Sequence, residues 1–121
     1  MIKGVKFVNI PVKNPDAALE FYTEKLGFRI VTDQPMGEGR RWLELKIPGA
    51  ETGVTLFTPT GHEDRIGTFT NVSFYSNDVE KTYAELKEKG VEFLAPPKKE
   101  HWGWSVIFKD MDGNQIHLGS R

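Results

Sequence analysis

The chain has 121 residues, 38% hydrophobic and 27% charged, with a formal net charge of −1 and no cysteine. This is the size and composition of one globular domain. The near-neutral charge gives no grip on nucleic acid, and the absence of thiols excludes disulfide scaffolds, zinc ribbons and cysteine nucleophiles.

The N-terminus, Met1-Ile2-Lys3-Gly4-Val5, lacks the apolar core of a signal peptide, and no stretch approaches the ~18 apolar residues of a membrane span. No membrane partner is expected, and the expected location is the cytoplasm. Val5–Val12 then reads as a strand with Phe7 and Asn9 on one face and Val8 and Ile10 between them. Asn14-Pro15-Asp16 starts a helix, with Asn14 as N-cap and Pro15 at the first helical position, where a missing N–H costs nothing. Ala18, Leu19, Tyr22 and Leu26 form its apolar stripe, and Gly27 ends it. Phe28–Thr32 is the next strand, and Asp33–Gly39, with Pro35 and two glycines, is a loop or wide hairpin connection. Arg40–Ile47 alternates, setting Trp42, Glu44 and Lys46 opposite Leu43, Leu45 and Ile47. After Pro48-Gly49, Gly53–Thr58 is a further strand.

Pro59–Gly67 is a polar connector, and the pattern then repeats. Phe69–Tyr75 reads as a strand with Asn71, Ser73 and Tyr75 on one face and Val72 and Phe74 on the other. Asn77, with Glu80 three residues on, forms a capping box for a helix carrying Val79, Tyr83 and Leu86, which Gly90 closes. Val91–Leu94 is a strand, Pro96-Pro97 breaks it, and Lys98-Lys99 reads as solvated loop. The last hairpin runs from Trp104–Phe108 through Asp110-Met111-Asp112-Gly113-Asn114, where Asp112-Gly113-Asn114 tolerates positive φ, into Gln115–Gly119. There Ile116 and Leu118 face a core, while Gln115 and His117 face the other way.

The halves match at an offset of roughly 61 to 64 positions. Val8 corresponds to Val72, Tyr22 to Tyr83, and Leu26-Gly27-Phe28 to Lys89-Gly90-Val91. The expected fold is α+β: a single domain over residues 1–121 made of two tandem βαβββ units, 1–60 and 68–121, forming a curved mixed sheet around a cleft.

These paired units, the Asn-Pro-started first helix ending Phe21-Tyr22-x-x-x-Leu26-Gly27-Phe28, and the closing Asp110-x-Asp112-Gly113-Asn114 hairpin resemble the vicinal oxygen chelate superfamily. This is the glyoxalase/bleomycin-resistance/dioxygenase family, and the resemblance spans essentially the whole chain. It implies a sheet-lined cleft and a homodimer, but no single reaction, because members include lyases, ring-cleaving dioxygenases and proteins that only sequester drugs. Its enzymes hold a divalent metal with His and Glu side chains at four inward-facing positions. Those positions fall here on Phe7, Leu56, Asn71 and His117. Phe and Leu cannot coordinate and an amide is a poor substitute for imidazole, so neither a metal nor another cofactor is expected.

Without a metal, the expected site is a cleft wall for a small, partly aromatic organic ligand. Phe7, Val54 and Leu56 supply apolar surface, and Asn9, Asn71, Ser73, Gln115 and His117 supply hydrogen bonds. Trp42, Trp102 and Trp104 are candidate aromatic walls, each with ordinary packing as its alternative. Arg40 and Arg41 could meet an anionic group or simply be solvated. Two functions stay open: a binding protein that leaves its ligand unchanged, or a lyase-like enzyme with His117 as general acid or base and Glu44 as a second group.

Overall fold

The duplicated pattern builds two mixed sheets, one in each of two compact units, Met1–Ile66 and Gly67–Arg121. The computed structural model describes every residue except Glu38. The part of the expected Asp33–Gly39 connection that falls on Glu38 thus lies outside the described residues.

Unit 1 contains β1 (Phe7–Pro11), α1 (Pro15–Glu20), β2 (Arg29–Pro35), β3 (Arg41–Lys46) and β4 (Gly53–Phe57), in the sheet order β1-β4-β3-β2. β1 and β4 run parallel, and the other pairs are antiparallel. The register places Ile10 beside Leu56, Leu56 beside Leu43 and Val54 beside Leu45. These five side chains share one face and are all at most 1% exposed, which makes them the centre of the unit's core.

α1 starts as its sequence dictates. The Asn14 side-chain oxygen accepts from the backbone N–H groups of Asp16 (2.9 Å) and Ala17 (3.2 Å), and Pro15 occupies the first turn. The helix then widens into a π-helical turn, Phe21–Lys25, before Gly27 ends it at φ +78°. The wider turn rotates the face that follows it. Phe21 and Tyr22 are therefore both buried beside Ala18, while Leu19 and Leu26 of the expected stripe are only half-buried.

Two readings of this unit change. Asp33–Pro35, expected in a connection, extends β2 and pairs with Arg41–Leu43. Pro35 is tolerated there because β2 is an edge strand, where one missing N–H breaks no inner ladder. Arg41 does not wait for an anionic ligand. Its Nη1 lies 2.6 Å from Asp16 on α1, and its Nε and Nη2 meet the two Asp33 carboxylate oxygens at 3.2 and 3.0 Å. Those two carboxylates raise the guanidinium pKa, and the fork ties the helix start to the hairpin.

Unit 2 contains β5 (Phe69–Ser76), α2 (Val79–Glu88), β6 (Glu92–Phe93), β7 (Lys98–Glu100), β8 (Gly103–Lys109) and β9 (Gln115–Ser120). Its order, β5-β9-β8-β6, repeats that of unit 1, with first and last strands again parallel. Val72, Val79, Leu86, Val106, Phe108, Ile116 and Leu118 form its core. The expected α+β fold is the one observed.

Here three local expectations give way. The N-cap of α2 is Asp78, not Asn77: its carboxylate accepts from the Lys81 N–H at 3.1 Å. Lys98-Lys99 is not loop but part of the short strand β7, paired with Gly103–Ser105. Asn71 does not continue a regular alternation. It sits at φ +62°, in an irregularity that sets the four steps from Phe69 to Ser73 against the two from Gln115 to His117. Asparagine tolerates this left-handed conformation better than most residues, which explains both the bulge and its position.

The β8–β9 turn is held by a buried polar cluster. Asp110 Oδ1 accepts from the N–H groups of Asp112 (2.9 Å) and Asn114 (3.0 Å), and its Oδ2 accepts from Asn114 Nδ2 (2.8 Å). The Asn114 side-chain oxygen takes the Gly67 N–H at 2.8 Å, so the turn also fixes the entry to β5. Gly113 takes φ +80° between them.

Candidate functional site

The expected site residues divide between the units. On the unit 1 face away from the core, Phe7, Asn9, Trp42 and Glu44 come together. Phe7 and Trp42 meet edge to face at 5.7 Å, and Trp42 is 36% exposed. Asn9 pairs in register with Thr55, and their side chains are hydrogen-bonded. Leu56 and Val54 do not share this wall. Because Asn9 aligns with Thr55, its neighbours Val54 and Leu56 point to the opposite, core-facing side of β4.

In unit 2 the centre is His117. It lies opposite Ile107 on β8 and beside Ser73 on β5. Its Nδ1 is 2.6 Å from Ser73 Oγ, and its Nε2 is 2.7 Å from Ser105 Oγ. The imidazole is thus held at both nitrogens by hydroxyl groups, each of which can donate or accept. The Trp102 ring stands over it at 6.1 Å, tilted by 52°, and is 52% exposed. Gln115, two residues before His117 in β9, shares its face.

Trp104 takes the other side. It has the parity of the buried Val106 and Phe108, its backbone N–H donates to Ser120 Oγ at 2.7 Å, and Lys99 Nζ lies 5.9 Å from the centre of its ring. Its candidate role as a wall beside His117 is therefore corrected to packing at the core side. Asn71 is likewise displaced by its bulge, leaving Ser73 as the β5 residue that meets His117. His62 starts a 3-10 turn, Glu63–Arg65, and His101 is exposed before β8.

Two participants escaped the sequence reading, Ser105 and Gly119. A Cβ at Gly119 would fall 2.8 Å from His117 Cε1 and 3.6 Å from the Trp102 ring. A glycine inside an alternating strand is itself a sign of close approach, and here it leaves the space that the imidazole and indole share. Ser105 had a weaker signal: it is the polar start of an otherwise apolar run.

Among the described residues, no group of three or more His, Cys, Asp or Glu side chains is placed to hold a metal ion. No helix among them is long and apolar enough to cross a membrane.

The family model of the Glyoxalase/Bleomycin resistance protein/Dioxygenase superfamily matches residues 4–118, and the chain belongs to that superfamily. It is 39% identical over 118 residues to the protein YetH of Bacillus subtilis (strain 168), with 98% of each chain covered. Its fold matches a crystal structure of a superfamily member from Sphaerobacter thermophilus DSM 20745 with a TM-score of 0.90 and 34% identity, over 99% of this chain and 98% of that one. It also matches TnmS3, an antibiotic binding protein from Streptomyces sp. CB03234, with a TM-score of 0.85 and 34% identity, over 98% and 96% of the two chains.

Proposed function

We propose that this chain is a small-molecule-binding protein of the superfamily, that its site holds a flat, partly aromatic organic ligand, and that it works without a metal at the family position. The observation that carries this reading is the His117 imidazole, occupied at both nitrogens by serine hydroxyls and roofed by the exposed Trp102. An aromatic ligand would meet the indole face, and its polar edge would meet the hydroxyl groups. The likeness to TnmS3, which binds an antibiotic, supports the same reading.

The four family positions do not fit a metal. Phe7 and Leu56 have no donor atom and Leu56 points into the core, Asn71 sits in a bulge, and His117 spends both nitrogens on serines. A second reading, with His117 as the acid or base of a lyase-like reaction, draws on the same short contacts, but no second titratable group faces the imidazole among the contacts seen. A homodimer and a cytoplasmic location belong to the proposal as well. The exposed Ile30 and Val31 on edge strand β2 support the first, and the cysteine-free sequence is compatible with the second.

The test is a titration with 2-naphthol, followed by tryptophan fluorescence. The expected result is saturable quenching and recovery of unchanged 2-naphthol after long incubation, with affinity falling about tenfold in a Trp102→Ala variant as ring contact is lost. Equal affinity in that variant, or no saturation, would remove Trp102 as the ligand wall.

A further inference from the structure

The Ser73–His117–Ser105 chain carries a consequence for which ligands the site can accept. A neutral imidazole has one N–H and one bare nitrogen, so the chain of hydroxyl, ring and hydroxyl must run in one direction or the other. With the proton on Nδ1, the ring donates to Ser73 Oγ and accepts from the Ser105 hydroxyl. The Ser73 O–H is then free to donate outward. With the proton on Nε2, the ring donates to Ser105 and accepts the Ser73 O–H. Ser73 then offers only lone pairs. Ser73 is the exposed end and Ser105 the half-buried one, so a ligand meets the chain at Ser73.

We propose that Ser73 is a reversible donor–acceptor contact, set by the His117 tautomer, and that the site therefore takes both aryl ketones and phenols. An aryl ketone, which can only accept, selects the Nδ1–H form. A phenol donating its hydroxyl proton favours the Nε2–H form, because phenol, Ser73, His117 and Ser105 then donate in one direction and each bond polarises the next, while in the Nδ1–H form Ser73 has only one lone pair left for it. Two further observations favour this. Among the contacts seen, neither serine has a hydrogen-bond partner other than His117, so nothing else fixes the direction of the chain. The His117 ring lies against Gly119, where a Cβ would fall 2.8 Å from its Cε1, and its two nitrogens are held by the serines, so Ser105 acts as the positioning residue. This inference rests on the aromatic-ligand reading and deepens it.

The experiment uses the full chain with 15N-labelled histidine, the His117 signals being assigned with a His117→Gln variant. The probes are 2-acetylnaphthalene, 2-naphthol and unsubstituted naphthalene. The expected result is that all three bind. 2-Acetylnaphthalene moves the His117 15N shifts toward the Nδ1–H form, 2-naphthol moves them toward the Nε2–H form, and naphthalene leaves them in place. Ser73→Ala should weaken the two oxygenated probes about threefold to tenfold, leave naphthalene within about twofold, and abolish the opposite responses. Ser105→Ala should leave the ring bound to Ser73 but shrink the shift difference between the two probes. Binding of both oxygenated probes with one unchanged tautomer would overturn the switch and leave the aromatic site standing. Failure of all three probes to bind would overturn the aromatic site, and the ligand role of Ser73 with it.

Discussion

An Asp110→Ala variant should lose about 3–5 kcal/mol of stability, among the largest effects of any single substitution in the chain. Asp110 is 6% exposed, and its carboxylate accepts from the Asp112 N–H and from both the backbone N–H and the Nδ2 of the fully buried Asn114. Truncation strands those donors, and each buried unsatisfied group costs about 1–3 kcal/mol. The Asp112 N–H is less enclosed and recovers part of its loss through water. Asp110→Asn keeps the shape but not the acceptor set, because its amide nitrogen must face either the two backbone N–H groups or Asn114 Nδ2. That variant should lose roughly half as much. Urea unfolding with unchanged slope is the measurement, and a loss below about 1 kcal/mol for alanine would contradict the account. The effect reaches the candidate site, because this turn sets the β8–β9 register that puts His117 between Ser73 and Ser105.

Tyr22→Ala should cost a similar amount, about 3–5 kcal/mol, for a different reason. Tyr22 is fully buried, with the Phe21 ring edge-on at 5.2 Å and the Phe28 ring at 5.9 Å. Removing the ring leaves a cavity that neighbours on a helix and a strand start cannot close together. At this chain length the loss corresponds to a fall in Tm of roughly 10–25 °C. Tyr22→Phe keeps the packing and should retain most of the stability. Equal losses in the two variants would place the energy in the hydroxyl rather than in the ring.

These two positions also mark what the sequence made legible. The Asn14 cap, the Gly27 and Gly90 stops and the Asp112-Gly113-Asn114 turn were readable because each is local chemistry, settled within a few residues. The alternation of Leu43 and Leu45 against Trp42 and Glu44 was readable for the same reason. What was not legible depended on partners. The strand extension through Pro35 needs β3 beside it, and the short β7 needs β8. The face of Leu56 follows from its alignment with Ile10 rather than from its own strand. The π-helical turn inserts a residue into its period and rotates the side chains that follow, whereas the Asn71 irregularity sets two extra residues against β9, taking Asn71 itself out of the alternation and leaving Ser73 on its expected face.

The candidate site shows the same division. His117 stood out because, with Gln115, it holds the polar phase of a strand whose apolar phase is Ile116 and Leu118. Ser105 and Gly119 give only weak signals in sequence and acquire their meaning when three strands align. Of the tryptophans, the parity of β8 decides: Trp104 falls in step with Val106 and Phe108, while the glycine at φ +139° separates Trp102 from that series.

We propose that His117 serves an organic ligand and not a metal. This is tested most directly by thermal melts of chelator-stripped protein with and without Ni²⁺, Zn²⁺, Mn²⁺ and Fe²⁺, with elemental analysis of the samples. A metal at about 100 times its Kd would stabilise the native state by about 2.7 kcal/mol and raise Tm by several degrees. No shift is expected with any of the four ions, and a rise is expected with 2-naphthol. A several-degree rise with one equivalent of bound metal, lost in His117→Ala, would contradict the proposal and return His117 to a metal centre.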